Sequence, residues 1–174
     1  MLELQILGFL DDGPLHGYEL RRRIIQLSGP GATLSEGALY PALTRLERRG
    51  LLTRSLAQGA RGRAKQVLAI TPAGRERLRR LLREAEGPDV ESTARFRNVL
   101  AFLSKLPDLK DQRAVLQRRL TALKTPPSFF TSPEGRPQRL GGEDDPYRRG
   151  MLLTARASRN AELSWLRDLL AQAP

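Results

Sequence analysis

Apolar positions recur along most of this chain at helical spacing, and the breaks in that spacing divide it into segments. Leu2, Ile6 and Leu10, joined by Leu7, follow i, i+4, i+8. Leu2, Leu4 and Ile6 also alternate as a strand would, but the helix-favouring Leu, Glu and Gln tip the reading towards helix. Asp12-Gly13-Pro14 enforces a turn. Leu20, Ile24 and Leu27 then form one inward stripe, with Arg22, Arg23 and Gln26 turned outwards, and Ser28-Gly29-Pro30-Gly31 ends this second helix. A third begins at Ser35, or at Thr33, where Thr33-x-x-Glu36 has the form of a capping box. Pro41 favours the later start, because a proline deeper in a helix costs more. Leu39, Leu43 and Leu46 make its core stripe, Gly50 its C-terminal stop, and Arg48 and Arg49 complement the dipole there.

The period then changes. Leu51–Leu56 and Lys65–Thr71 are rich in Leu, Val, Ile and Thr, and the glycines of the intervening basic stretch suit a hairpin loop. Thr71-Pro72 opens a fourth helix, with Thr as N-cap and Pro at the first position. It carries Leu78, Leu81, Leu82 and Ala85 and stops at Gly87-Pro88. Ser92–Leu106 buries Phe96, Val99, Leu100 and Leu103 and ends at Pro107. Asp108 caps another helix with Leu109, Leu116, Leu120 and Leu123 on one face. Residues 125–146 hold five prolines and three glycines and read as an irregular loop, expected to be mobile. Tyr147–Gln172 is a last long helix carrying Leu152, Leu163, Trp165, Leu166, Leu169 and Leu170. No internal repeat is apparent.

At 174 residues the chain has room for one domain, or a small domain with an appendage. The longest apolar run, Val99–Leu103, is far short of a membrane span, and no basic leader precedes a long apolar segment at the N-terminus. With no cysteine, disulfide frameworks and thiolate metal sites are excluded. A soluble cytoplasmic protein is expected. The formal charge of +11 is uneven: residues 1–83 hold 15 Lys/Arg against 7 Asp/Glu, and residues 84–174 hold 15 against 12. Clustered cations gain affinity for polyanions by releasing counterions. Charge alone does not choose between such a partner and Arg-rich, solvated helix faces.

Catalytic groups are scarce. His16 is the one histidine, so a histidine cage or a Ser-His-Asp triad has no second residue of that type to draw on. Its place before Gly17 at a helix start points to a capping role. Gly29-x-Gly31 has no preceding strand and no Gly-Lys-Ser/Thr continuation, so it is not a phosphate loop. No enzyme, metal or cofactor is expected. The face of the third helix opposite its leucines presents Glu36, Gly37, Tyr40, Pro41, Thr44, Arg45 and Arg48. Small residues at its start let it approach base edges; Arg45 suits guanine or phosphate, and Ala38 and Thr44 suit a thymine methyl. Arg61, Arg63 and Lys65 at the ribbon tip are spaced to meet an adjacent groove or backbone. Three helices, a basic ribbon and a groove-compatible helix, in that order, favour DNA binding.

Three stretches then resemble one family: Gly13-Pro-Leu-His-Gly-Tyr-Glu-Leu20, Ser35-x-Gly37-x-x-Tyr40-Pro41-x-Leu43-x-x-Leu46-Glu47-x-x-Gly50-Leu51, and Leu68-x-Ile70-Thr71-x-x-Gly74. Together they look like the PadR group of transcriptional regulators over about residues 2–86. Val67-Leu68 stands where that group commonly has an aromatic pair. The resemblance implies a mainly α fold: a winged helix-turn-helix domain with a two-stranded β-wing, followed by a C-terminal antiparallel helical dimerisation region. It implies a regulator, usually a repressor, that acts as a homodimer; a pseudo-palindromic operator in double-stranded DNA is expected, and an effector, for which a small molecule is one candidate, or a stress signal would act by changing the spacing between the wings. Tyr18, Ser35, Gly37, Tyr40 and Pro41 are implied at the DNA surface beside the wing cations; otherwise Tyr18 and Tyr40 pack over the helix junction and Gly37 serves close helix approach. Residues 1–87 are read as the DNA-binding domain and 88–174 as a dimerisation and effector region. The dimer contacts expected there are Phe96, Leu100, Leu103, Leu116, Leu120, Leu163, Trp165, Leu166 and Leu170, since unsatisfied apolar stripes usually meet a partner helix. Phe129, Phe130 and Trp165 are read as filling or anchoring groups ahead of an aromatic effector pocket. An RNA-associated winged helix and a protein-interaction adaptor remain as alternatives.

Overall fold

The capping signals at each end of the third segment determine how the N-terminal part of the chain is tied together. The structure is a computed structural model describing residues 1–58, 64–124 and 144–172. In chain order its elements are α1 (Leu2–Asp11), β1 (Leu15–His16), α2 (Gly17–Ser28), α3 (Glu36–Arg48), β2 (Leu52–Gln58), β3 (Ala64–Ile70), α4 (Pro72–Arg83), α5 (Pro88–Glu91), α6 (Thr93–Phe102) with a 3-10 turn over Leu103–Lys105, α7 (Leu109–Lys124) and α8 (Pro146–Ala171). The fold is mainly α with a small antiparallel sheet, as expected. Two short elements, β1 and α5, are additions to the expected set. The strands run in the order β1-β3-β2, so the β2–β3 ribbon expected as the wing carries a third strand. Its register sets Leu52 opposite Ile70 and Gln58 opposite Ala64, while Leu15 and His16 of β1 face Leu68 and Val67.

The chain divides into two compact units, Met1–Gln112 and Arg113–Pro174. In the first, Leu4, Ile6, Leu7 and Leu10 of α1 are buried, as are Leu20 and Ile24 of α2 and Leu39, Leu43 and Leu46 of α3. The unit extends past residue 87 because α6 packs on α1: Phe9 meets Phe102 edge-on with ring centroids 5.1 Å apart. A side chain at Gly8 would meet that Phe102 ring at 2.5–2.7 Å. Beside this contact Gln5 Nε2 donates to Asn98 Oδ1 at 2.7 Å in a buried pair. Phe96 and Leu103, expected at a dimer interface, are therefore buried at 1% and 5% exposure in the chain's own core.

The junction between α3, the wing and α4 is built from backbone. Gly50, at φ +67°, takes the left-handed conformation that ends α3. Gly50 N–H then donates to the Glu47 carbonyl at 2.8 Å and Leu51 N–H to that of Leu46 at 2.9 Å, a Schellman pattern. From the far end of the wing, Thr71 N–H donates to the Leu51 carbonyl at 3.1 Å. Thr71 Oγ1 donates to the Gly50 carbonyl at 2.6 Å and accepts from Gly74 N–H at 3.0 Å, capping α4. A Cβ on Gly74 would overlap the Leu51 carbonyl oxygen and meet Ile70 Cγ1 at 2.7 Å, so the crossing requires glycine.

In the second unit α7 and α8 run antiparallel. Arg113 donates to the Leu170 and Gln172 carbonyls, Arg119 pairs with Glu162, and Arg159 reaches back to the Leu123 carbonyl at 2.7 Å. Arg119 is wholly buried, and its Nε and Nη2 grip the two carboxylate oxygens of Glu162 at 2.7 Å each. Leu116, Leu120, Leu163 and Leu166, also expected as dimer contacts, are buried. Leu100 and Trp165 are exposed and Leu170 half-buried. Leu109, placed by its spacing on the buried face of α7, is exposed at the helix's first position. Phe129, Phe130 and nearly all of the 125–146 loop lie outside the described residues.

Two outcomes follow from this packing. Gly74→Ala should lower unfolding free energy by about 3 kcal/mol or more, since the obstacle is backbone rather than a flexible side chain; urea unfolding at constant m-value measures it. Glu3, although burial pushes its carboxyl up, is held below the usual range by hydrogen bonds from Arg77 and Arg49. A lowered carboxyl stabilises the fold above the unfolded chain's carboxylate range and loses that contribution as pH falls through the lowered value. The stability difference between wild type and Glu3→Gln should therefore be steady near neutral pH and shrink as pH falls below the unfolded chain's carboxylate range; a difference that stays constant throughout acid unfolding contradicts this.

Candidate nucleic-acid interface

Ser35 starts α3: its Oγ accepts the Ala38 N–H at 3.2 Å, which resolves the choice between Thr33 and Ser35. The turn leading in is held by Arg21, whose Nε donates to the Leu34 carbonyl at 2.7 Å. With Leu39, Ala42, Leu43 and Leu46 buried, the opposite face presents Glu36, Gly37, Ala38, Tyr40, Pro41, Arg45 and Arg48, all exposed. Pro41 lies inside the helix; the residue four before it is Gly37, the least bulky neighbour for the proline ring. A Cβ on Gly37 would meet only Ser35 Oγ, at 3.9 Å, so this glycine does not serve a helix–helix approach and leaves the start of α3 open. Arg45 and Arg48 make no ion pair among the described residues.

The wing is braced against this helix. Period-two alternation puts Leu52, Arg54 and Leu56 on one face of β2: Leu52 is buried, Arg54 half-buried and Leu56 exposed. Arg54 Nη2 donates to Thr44 Oγ1 at 3.1 Å, and its Nε lies 2.9 Å from Glu47 Oε2. That Nε–H is buried and not aligned for a hydrogen bond, so its attraction to Glu47 is Coulombic. The Thr44 hydroxyl, expected at the DNA surface, is thus engaged by the wing and half-buried. Arg61 and Arg63 lie outside the described residues, as does the Lys65 side chain.

Between α2, α3 and the wing opens a cleft of about 330 Å³ lined by His16, Gly17, Tyr18, Tyr40, Leu43, Arg54, Gln66 and Leu68. Tyr18 and Tyr40 are 63% and 44% exposed at its rim. Tyr18 stacks on His16 with ring centroids 5.8 Å apart and planes 9° from parallel. Tyr40 Cε1 and its hydroxyl oxygen lie 3.7 and 3.8 Å from where a Gly17 Cβ would be. Both tyrosines therefore pack at the helix junction and still reach solvent. His16 departs from the expected role: it occupies the N-cap position of α2 but makes no side-chain cap, and its Nδ1 lies 2.9 Å from the Gln66 carbonyl of β3.

Sequence pattern leaves Arg54 unmarked and gives His16 a capping role in place of its link to β3. A charged residue alternating with two leucines on a strand was the available signal for Arg54; nothing local marks His16, whose partner lies 50 residues away.

Comparison with known proteins places this geometry in context. The model of the Transcriptional regulator PadR-like family matches residues 6–80, a span that includes the cleft, α3 and the described strands of the wing. The chain is 43% identical over 86 residues to Transcriptional regulator Rv3488 of Mycobacterium tuberculosis, covering 48% of this chain and 77% of that protein. It is 45% identical over 78 residues to an uncharacterized 37.1 kDa protein in transposon TN4556 of Streptomyces fradiae, covering 45% of this chain and about a fifth (21%) of that protein's length. The solved structure of Bacillus subtilis PadR in complex with operator DNA is 22% identical, with a TM-score of 0.45, covering 99% of this chain and 97% of that one.

Proposed function

From the premise that the chain belongs to the PadR-like family of transcriptional regulators, we propose that it is a sequence-specific repressor that binds double-stranded DNA as a homodimer. The observation that carries this reading is the exposed face of α3, small at its start and bearing Arg45 and Arg48, beside a wing that Arg54 braces. Small residues let backbone and Tyr40 approach base edges, Arg45 supplies a donor fork for guanine or phosphate, and Ser35, its oxygen taken by the cap, retains an O–H to donate. By sequence, Arg61, Arg63 and Lys65 add further positive charge to this reading. The work would be done on cytoplasmic DNA; no helix among the described residues is long and apolar enough to cross a membrane.

Dimerisation would use apolar side chains that folding leaves exposed. In the second unit Trp165 and Leu169 are exposed on α8 at 40% and 36%, with Leu170 half-buried beside them; in the first unit Leu100 is exposed on α6. Two α3 helices related by a two-fold axis would enter major grooves about 34–36 Å apart, one turn of duplex. A small-molecule effector would act by binding one dimer geometry more tightly than the other.

Salt-titrated binding to duplexes enriched by the chain from a random pool tests the reading. Arg45→Ala should weaken binding to the enriched duplex by about 1–3 kcal/mol, roughly 5- to 150-fold. Salt-steep binding with no enriched sequence would leave only non-specific attraction, and preference for structured RNA would favour the RNA-associated alternative. By sedimentation the chain should be dimeric at micromolar concentration, and Trp165→Asp should weaken association by about 2 kcal/mol or more; a wild-type monomer overturns the dimer.

A further inference from the structure

We propose that His16 is a positioning residue that locks wing strand β3 to the start of α2 and thereby sets sequence selectivity rather than total affinity; this rests on the duplex-DNA reading above. A carbonyl can only accept, so the Nδ1 that lies 2.9 Å from the Gln66 oxygen carries the ring proton and donates it. The bond extends a two-residue strand, β1, whose pairing with β3 ends at His16 and Val67. The other side of the same ring carries Tyr18, stacked nearly parallel and 63% exposed. The next residue, Gly17, lies under Tyr40 of α3. One imidazole therefore links the wing to Tyr18 on the candidate DNA face, next to the point where α2 meets Tyr40.

The cap position strengthens the inference. Ser, Thr, Asp or Asn at an N-cap stabilises a helix by accepting a backbone N–H, and the histidine at this one makes no such bond. Its side chain is committed to the wing instead.

Selectivity is the property such a link controls. Phosphate contacts tolerate a wing displaced by an ångström, because charge acts over distance, whereas hydrogen bonds to base edges do not. A loosened wing keeps its charge and loses its register.

The test compares His16→Ala, His16→Phe and His16→Asn in the full chain. Phe keeps a ring for Tyr18 without a donor; the Asn amide keeps a donor close to the Nδ1 position. The probes are a duplex enriched by the wild-type chain from a random pool and an unrelated duplex of equal length. The affinity ratio should fall about tenfold or more in the Ala and Phe variants, with binding to the unrelated duplex unchanged, and Asn should recover most of the ratio. Parallel loss on both duplexes, or a wild-type ratio in Phe, overturns the proposal. Should His16→Ala fail to melt cooperatively, the Phe and Asn variants decide it by their ratios. A wild-type chain that enriches no sequence defeats the DNA reading itself, and this inference with it.

Discussion

The contact on which the rest depends is the crossing of Gly74 over the Leu51 carbonyl. There the end of α3, both ends of the wing and the start of α4 meet within a few residues, and Thr71 ties them by donating to Gly50 and accepting from Gly74. Gly50 supplies the left-handed turn that sends Leu51 inwards; Gly74 supplies the absence of a side chain that lets the start of α4 close on Leu51 and Ile70. Because both are backbone constraints, the angle at which the wing leaves the helical core is set at its base by chain geometry.

Further out, side chains take over. Arg54 spans from β2 to Thr44 and Glu47 of α3, and His16 reaches from the start of α2 to β3. These two links hold the wing from opposite strands, with the cleft between them. A two-stranded ribbon alone is a weak element in water; fastened at its base and along both strands, it becomes a fixed arm beside α3. Because Arg54 Nε faces Glu47 without making a hydrogen bond, the fastening is electrostatic as well as geometric, and part of its strength depends on the Glu47 charge.

Much of the N-terminal unit was legible because its signals are local. Thr71-Pro72, Gly50 and the Leu39/Leu43/Leu46 stripe each specify structure within a turn or two, and the motif spacing of Gly50-Leu51 and Thr71-x-x-Gly74 proves to record a single tertiary crossing. Contacts between distant segments left no such trace. β1 is too short to alternate, and His16 was read from its neighbours as a cap when its partner is Gln66. The apolar stripes of α6, α7 and α8 told that Phe96, Leu116 and Leu166 would be buried, but periodicity names a face without naming what covers it. Phe96 proved to be covered within the first unit, with α6 packed on α1, and α7 has an antiparallel neighbour in α8.

The same separation applies to charge. The excess of cations in the N-terminal half suggested a polyanion partner, yet many of those arginines are committed to the fold: Arg49 and Arg77 to Glu3, Arg75 to Asp11, Arg83 to Asp111, and Arg54 to Glu47. Such pairs reduce the field that reaches a ligand, since each guanidinium lies within a few ångströms of a carboxylate, Glu3 serving both Arg49 and Arg77. Arg45 and Arg48 differ in having no ion-pair partner among the described residues and in projecting from the exposed face of α3. Glu36, at the start of that face, opposes a phosphate there but can accept from a cytosine amine. What distinguishes this surface is therefore less the total of +11 than a short array of uncompensated donors, with one acceptor, on a helix tied to the wing by the backbone crossing at Gly74 and by the side chain of Arg54.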